Sequence, residues 1–220
     1  PFRNEFKDFT WGEVGDQVRR IATYLNSLGL PPKSNIGLVS KNCAEWIIAD
    51  LAIMVSGHVS VPFYATLTAE QINQVLTHSG CLVLFVGKLD DWKGMKKGIP
   101  SEVKCISFPT YNPDKEHVQW NDILEQNEPL QGTPSPQLSD LFSIVYTSGT
   151  TGNPKGVMVT YESIAVVMEK TKTILKYDLP EHRFFSYLPL CHIAERNVVE
   201  ATSLGTGGTV YFAESLDTFS

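Results

Sequence analysis

The chain has 220 residues, a net charge of −6, 42% hydrophobic residues and 19% charged residues. That is ordinary globular composition, with enough chain to bury one sizeable core or two smaller lobes. Lysine and arginine are scattered rather than blocked into a basic face, which disfavours nucleic acid as a partner.

In chain order, Thr10 and Glu13 have capping-box spacing, a hydroxyl N-cap with a glutamate three residues on. Val14, Val18, Ile21, Leu25 and Leu28 then recur at helical intervals, and Gly29 is the expected stop. "NIGLVS" reads as a buried strand, "NCAEWIIADLAIMVSG" as a helix and "VSVPF" as the next strand. The apolar run from Trp46 to Tyr64 carries Asp50, His58 and Pro62 and breaks at Gly57, so it is not a membrane span. Thr68 and Gln71 open another helix, with Ile72, Val75 and Leu76 on one face, and "CLVLFVG" is a strand. From Asp90 to Asp140 the pattern weakens; "VKCISF" predicts a strand and "NEPLQGTPSPQLSD" a linker.

The alternation of strand and helix predicts an α/β fold, a mostly parallel sheet with flanking helices. "LFSIVYTSGTTGNPKGVMVT" then places a strand on each side of a glycine-rich loop. Helical spacing returns only from about Thr160, through Ile164, Val167, Met168, Thr171 and Leu175. "RFFSYLPLCH" reads as a strand, "IAERNVVEATSLGTGG" as a helix and "TVYFA" as the last strand.

The four cysteines, Cys43, Cys81, Cys105 and Cys191, form no C-x-x-C pair and have no zinc-ligand spacing. That fits reduced thiols in a cytoplasmic setting, and no signal peptide is visible. Peripheral membrane association stays open.

The loop "YTSGTTGNPKG", Tyr146 to Gly156, has the chemistry of a polyphosphate cradle. Glycine lets backbone N–H groups approach an anion unobstructed. Ser148, Thr150 and Thr151 add short hydroxyl donors, and Lys155 adds a compact positive charge. A Walker A loop would need Ser or Thr after the lysine and a helix directly behind it. Here Gly156 follows Lys155 and a strand follows the loop, so the P-loop NTPase reading fails.

The same eleven residues resemble the signature loop of the adenylate-forming, or AMP-binding, enzyme superfamily. "FTWGEVGDQVRRIATYLNSLGL", "NCAEWIIADLAIMVSGHVSVPFYATLTAEQINQVL" and "GTGGTVYFAES" resemble further blocks of that family, in its order. "SYLPLCHIAER" is similar to the long-chain fatty acyl-CoA synthetase branch.

The resemblance implies a Rossmann-like acyl-CoA synthetase/luciferase-type fold of which this chain is a partial N-terminal region. It implies that Thr147, Ser148, Gly149, Thr150, Thr151, Gly152 and Lys155 bind ATP phosphates, with Mg²⁺ near Thr151. It implies that His192 lies near the reacting carboxylate and α-phosphate, and that Lys155 shares the catalytic work. The implied reaction takes a fatty acid and ATP to acyl-AMP, then CoA to acyl-CoA. Glu195 and Arg196 are either a site-lining pair or a structural salt bridge, and Cys191 reads as a packed residue. His58 and His78 read as ordinary structural histidines.

The family's later blocks, with their magnesium-binding glutamate, ribose-binding aspartate and C-terminal lysine, are missing here. The expectation is therefore a fragment, inactive alone, that self-associates through uncovered apolar surface. Residues 42–178 are expected to form the main lobe, and 1–41 with 179–220 part of a second, incomplete one. The alternatives are an aryl- or amino-acid-activating relative and a non-catalytic nucleotide-binding domain.

Overall fold

A computed structural model describes residues 7–109, 114–132, 134–147, 154–175 and 182–213, apart from the side chains at 172 and 175. Helix α1, Trp11–Ser27, begins at the expected capping box: the Thr10 side chain accepts from the Glu13 N–H, and the Glu13 carboxylate accepts from the Thr10 N–H. It buries Val18, Ile21, Ala22 and Leu25. Gly29 follows with φ 64°, a left-handed turn that favours glycine.

Strand β1, Asn35–Val39, leads to α2, Ala44–Val55, and β2, Val59–Phe63. Helix α3, Ala69–Ser79, has its own capping box at Thr68 and Gln71 and ends on left-handed Gly80. β3, Val83–Val86, and β4, Lys104–Ser107, are separated by the short helix α4, Trp92–Met95. β5, Val118–Gln119, and α5, Trp120–Gln126, lie where the sequence pattern is weak. β6, Leu141–Thr147, and β7, Lys155–Thr160, precede α6, Tyr161–Leu175.

These seven strands form one sheet in the order β5-β4-β3-β1-β2-β6-β7. All neighbours are parallel except β6 and β7. The central strands are apolar on both faces, as a sheet covered on both sides requires. Ile36, Leu38, Val83, Phe85 and Ile106 face the core shared with α1, α2 and α5. Val39, Val61, Phe63, Leu84 and Val86 face the other core, under α3 and α4. The chain is thus an α/β protein with a mostly parallel sheet flanked by helices.

The remaining elements are β8, Arg183–Ser186, and β9, Thr209–Phe212, which pair parallel as a separate two-stranded sheet. Between them run α7, Ile193–Glu195, a π-helical turn, Arg196–Ala201, and α8, Thr202–Thr206. The single helix expected here is therefore present over residues 193–206, with one π-helical turn in its middle. The strand expected over "RFFSYLPLCH" stops at Ser186, because the Tyr187 N–H turns to the Glu195 carboxylate, 3.0 Å away.

The lobe boundary expected at residue 42 is corrected by the strand pairing. β1 sits between β3 and β2 in the main sheet, not with β8 and β9. α1 touches both parts: it packs on α2, and the Trp11 indole donates to the Gly208 carbonyl at 3.2 Å. Among the described residues, no helix is long and apolar enough to cross a membrane.

Two substitutions separate core from cap. Ile48, fully buried, should cost about 2–5 kcal/mol on replacement by alanine. Thr10→Ala, which removes only the cap of α1, should cost about 1 kcal/mol. Urea unfolding midpoints at unchanged m-value would measure both.

Candidate active site

The β6–β7 hairpin pairs Val145 with Val157, Tyr146 with Gly156, and Thr147 with Lys155. Thr147 and Lys155 therefore stand opposite one another at the hairpin's open end, and both are exposed. They bracket residues 148–153. Ser148, Gly149, Thr150, Thr151 and Gly152 lie outside the described residues. β6 runs parallel to β2, so Thr147 lies at the carboxyl edge of the parallel strands. Open α/β sheets bind ligands along that edge.

The base of the hairpin is fixed. Tyr146 is buried, its hydroxyl lies 2.7 Å from His78 Nδ1, and its ring packs against Phe63 at 5.8 Å. Across from it, a Cβ on Gly156 would stand 2.6 Å from Ile144 Cγ2. Glycine is required there for close approach rather than for an unusual φ.

A second segment reaches the same edge. Asn42 follows β1 and clamps the chain after β8. Its Nδ2 donates to Ser186 Oγ at 2.8 Å and to the Leu188 carbonyl at 2.6 Å, while its Oδ1 accepts from the Leu190 N–H at 2.9 Å. Ser186 Oγ in turn donates to Glu195 Oε1 at 2.9 Å. Burial raises the Glu195 carboxyl above its ordinary range, and the Ser186 and Tyr187 donors act against that rise.

His192 caps α7 on this clamped segment. Its Nδ1 accepts from the Ala194 N–H at 3.2 Å, and the side chain is exposed. That bond puts the proton of the neutral ring on Nε2. The hydrogen bond of the His192 ring stays within its own turn; Thr147 and Lys155 belong to the separate hairpin.

Glu195 and Arg196 do not pair with each other. The fully buried Arg196 hydrogen-bonds Asp50 of α2 through Nη2, and its Nε lies 3.3 Å from Glu200 Oε2. Its guanidinium carbon rests 4.4 Å from the centre of the Phe142 ring and 5.7 Å from that of Trp46. Burial opposes the Arg196 charge, but the neighbouring Asp50 and Glu200 side chains outweigh it and raise its pKa. Cys191 is buried and its thiol is pushed up to about 12 by burial, as a packed, inert cysteine should be.

Sequence reasoning missed Asn42, Asp50 and the role of His78. Asp50 carried a signal, being one charge within the apolar run "WIIADLAIMV". Asn42 carried a weaker one, a polar residue just beyond the carboxyl end of a buried strand. Nothing local marked His78.

The AMP-binding enzyme family matches residues 2–220, all but the first residue. The chain belongs to the AMP-binding enzyme family. Among its relatives is fatty acyl-CoA synthetase A of Dictyostelium discoideum, 32% identical over 97% of this chain and 34% of the relative. Another is long chain acyl-CoA synthetase 5 of Arabidopsis thaliana, 32% identical over 92% of this chain and 33% of the relative. The chain thus spans about a third of the length of these curated relatives.

Solved structures share the fold at lower identity. Apo MatB from Rhodopseudomonas palustris superposes with a TM-score of 0.79 at 19% identity, covering 97% of this chain and 42% of that one. O-succinylbenzoate coenzyme A synthetase (MenE) from Bacillus subtilis, in complex with AMP, does so at 0.76 and 20% identity, covering 98% and 53%.

Gly156→Ala should destabilise the hairpin by about 1–3 kcal/mol through overpacking. In an Ile144→Ala background, where the clashing methyl is gone, the same change should cost measurably less. Equal costs in both backgrounds, by chemical denaturation, would contradict the close approach.

Proposed function

We propose that the full-length protein containing this chain activates a long-chain fatty acid with ATP, forming acyl-AMP and pyrophosphate, and then transfers the acyl group to CoA. The observation that carries the reading is the whole-chain match to the AMP-binding enzyme family with the "YTSGTTGNPKG" loop intact. The fatty-acid preference is supported by relatives that are fatty acyl-CoA synthetases at about a third identity.

In the first step a carboxylate oxygen bonds to the α-phosphorus and the bond to the pyrophosphate oxygen breaks. In the second, the CoA sulfur bonds to the acyl carbon and AMP leaves with the electrons of the former acyl–oxygen bond. Both need positioning and charge stabilisation more than covalent help from the protein. Lys155 and Thr147 hold phosphate oxygens from one side of the loop, with the donors of Ser148 to Gly152 between them. His192, with its proton on Nε2, offers a hydrogen bond to the carboxylate or the α-phosphate.

Mg²⁺ would enter as part of the nucleotide substrate, and the Thr151 hydroxyl would be a ligand for it. Among the described residues no group of three His, Cys, Asp or Glu side chains is arranged to hold a metal. Met158, Ile174 and Tyr187, 70%, 74% and 54% exposed, form apolar surface that the rest of a longer chain would cover. We infer that residues 1–220 alone do not complete the reaction and that they self-associate.

ATP–pyrophosphate exchange tests this reading. The full-length protein should exchange with a long-chain fatty acid and not with benzoate or amino acids, and residues 1–220 alone should not exchange. Lys155→Ala should lower kcat/KM for ATP by about 10- to 100-fold, the loss of one hydrogen bond to a charged group. Unchanged kinetics would remove Lys155 from the site.

A further inference from the structure

The Arg196–Asp50–Glu200 cluster links α2, β2 and β6 to the helical segment that follows His192. Asp50 also accepts from Ser60 Oγ on β2, and Ser143 Oγ on β6 donates to the Ser60 carbonyl at 2.8 Å. Phe142, whose ring lies under the guanidinium, is on β6 as well, five residues before Thr147. On the other side, Arg196 is four residues beyond His192.

We infer that Arg196 is a positioning residue: fastened to Asp50 and Glu200 and seated on Phe142, it fixes the His192 turn relative to the hairpin that presents Thr147 and Lys155. This rests on the function proposed above.

Three physical points support it. First, stability alone gives little reason for an arginine here. A buried ion pair replaced by well-packed apolar residues of similar volume is often no less stable. What apolar residues would lose is reach and direction: a planar guanidinium spans α2, β6 and the π turn at fixed angles.

Second, the charges require a definite arrangement. Asp50, Arg196 and Glu200 are 0%, 1% and 2% exposed. One cation balances one anion, and a second buried anion would be uncompensated. Glu200 therefore keeps its proton, its carboxyl held well above the ordinary range by burial and by Asp50. Glu200 Oε1 and Arg196 Nη1 have no hydrogen-bond partner among the described residues.

Third, the helix is irregular at this point. The π-helical turn spans Arg196–Ala201 and so holds both Arg196 and Glu200. Single π turns inside helices recur at functional sites because they redirect side chains.

The test uses the full-length protein and a neutral variant, Asp50→Asn with Arg196→Met and Glu200→Gln. Its thermal midpoint should stay near that of the wild type. Its kcat for fatty-acid-dependent ATP–pyrophosphate exchange should fall by about ten- to hundred-fold while KM for ATP stays within about two-fold. Amide hydrogen exchange over residues 187–195 should speed up by at least about ten-fold, with α1 to α3 unchanged. The single variant Arg196→Lys keeps the charge without the fork and should show the same split, which covers a failure of the triple variant to fold.

Wild-type kcat and wild-type protection of 187–195 in either folded variant would overturn the proposal. Hydrogen exchange reads the positioning without any turnover. A wild-type protein that does not exchange pyrophosphate would therefore count against the proposed function alone.

Discussion

The antiparallel return of β7 on β6 is the constraint on which the rest of the site depends. Every other pairing in the sheet is parallel, so each parallel strand ends at one edge and the chain must leave through a crossover. Only β6 turns straight back, through residues 148–153, and it brings Lys155 opposite Thr147. Thr147 and Lys155 are thereby held at the carboxyl edge. Tyr146 and Gly156 fix the strands beneath them, one by a hydroxyl bonded to His78, the other by leaving room for the Ile144 side chain.

Around this hairpin the protein places polar groups where an α/β core would ordinarily be apolar. Asn42 uses both ends of its amide on the segment after β8, satisfying one backbone N–H and one carbonyl that no strand pairs. Glu195 accepts from the Ser186 hydroxyl and the Tyr187 N–H. Each bond is modest in net terms. The result is specificity of position: the turn that carries His192 has few other ways to sit.

Local signals were legible in the sequence wherever neighbouring residues decide the structure. The capping boxes at Thr10 and Thr68, the left-handed glycines after α1 and α3, and the five residues of β2 fall where the pattern puts them. The strand–loop–strand reading of the hairpin also matches, because Val157, Met158 and Val159 offer no helical start. Features set by contacts distant in sequence were not legible. β1 reads as a buried strand, but nothing in "NIGLVS" says that it stands between β2 and β3. Arg196 and Asp50 are 146 residues apart, and no periodicity links them. β5 and α5 are too short to show a period at all. The loop residues Ser148 to Gly152 were read from their chemistry and lie outside the described part of the fold.

In the function we propose, the hairpin loop serves attack of a carboxylate on the α-phosphorus of ATP. The most direct measurement is the fate of oxygen. The full-length protein would be given ATP, CoA and a fatty acid labelled with ¹⁸O in both carboxylate oxygens, and the nucleotide product analysed by mass spectrometry. The account predicts AMP carrying one ¹⁸O per turnover, with unlabelled pyrophosphate. Label in inorganic phosphate together with ADP would place the attack at the γ-phosphorus and contradict it.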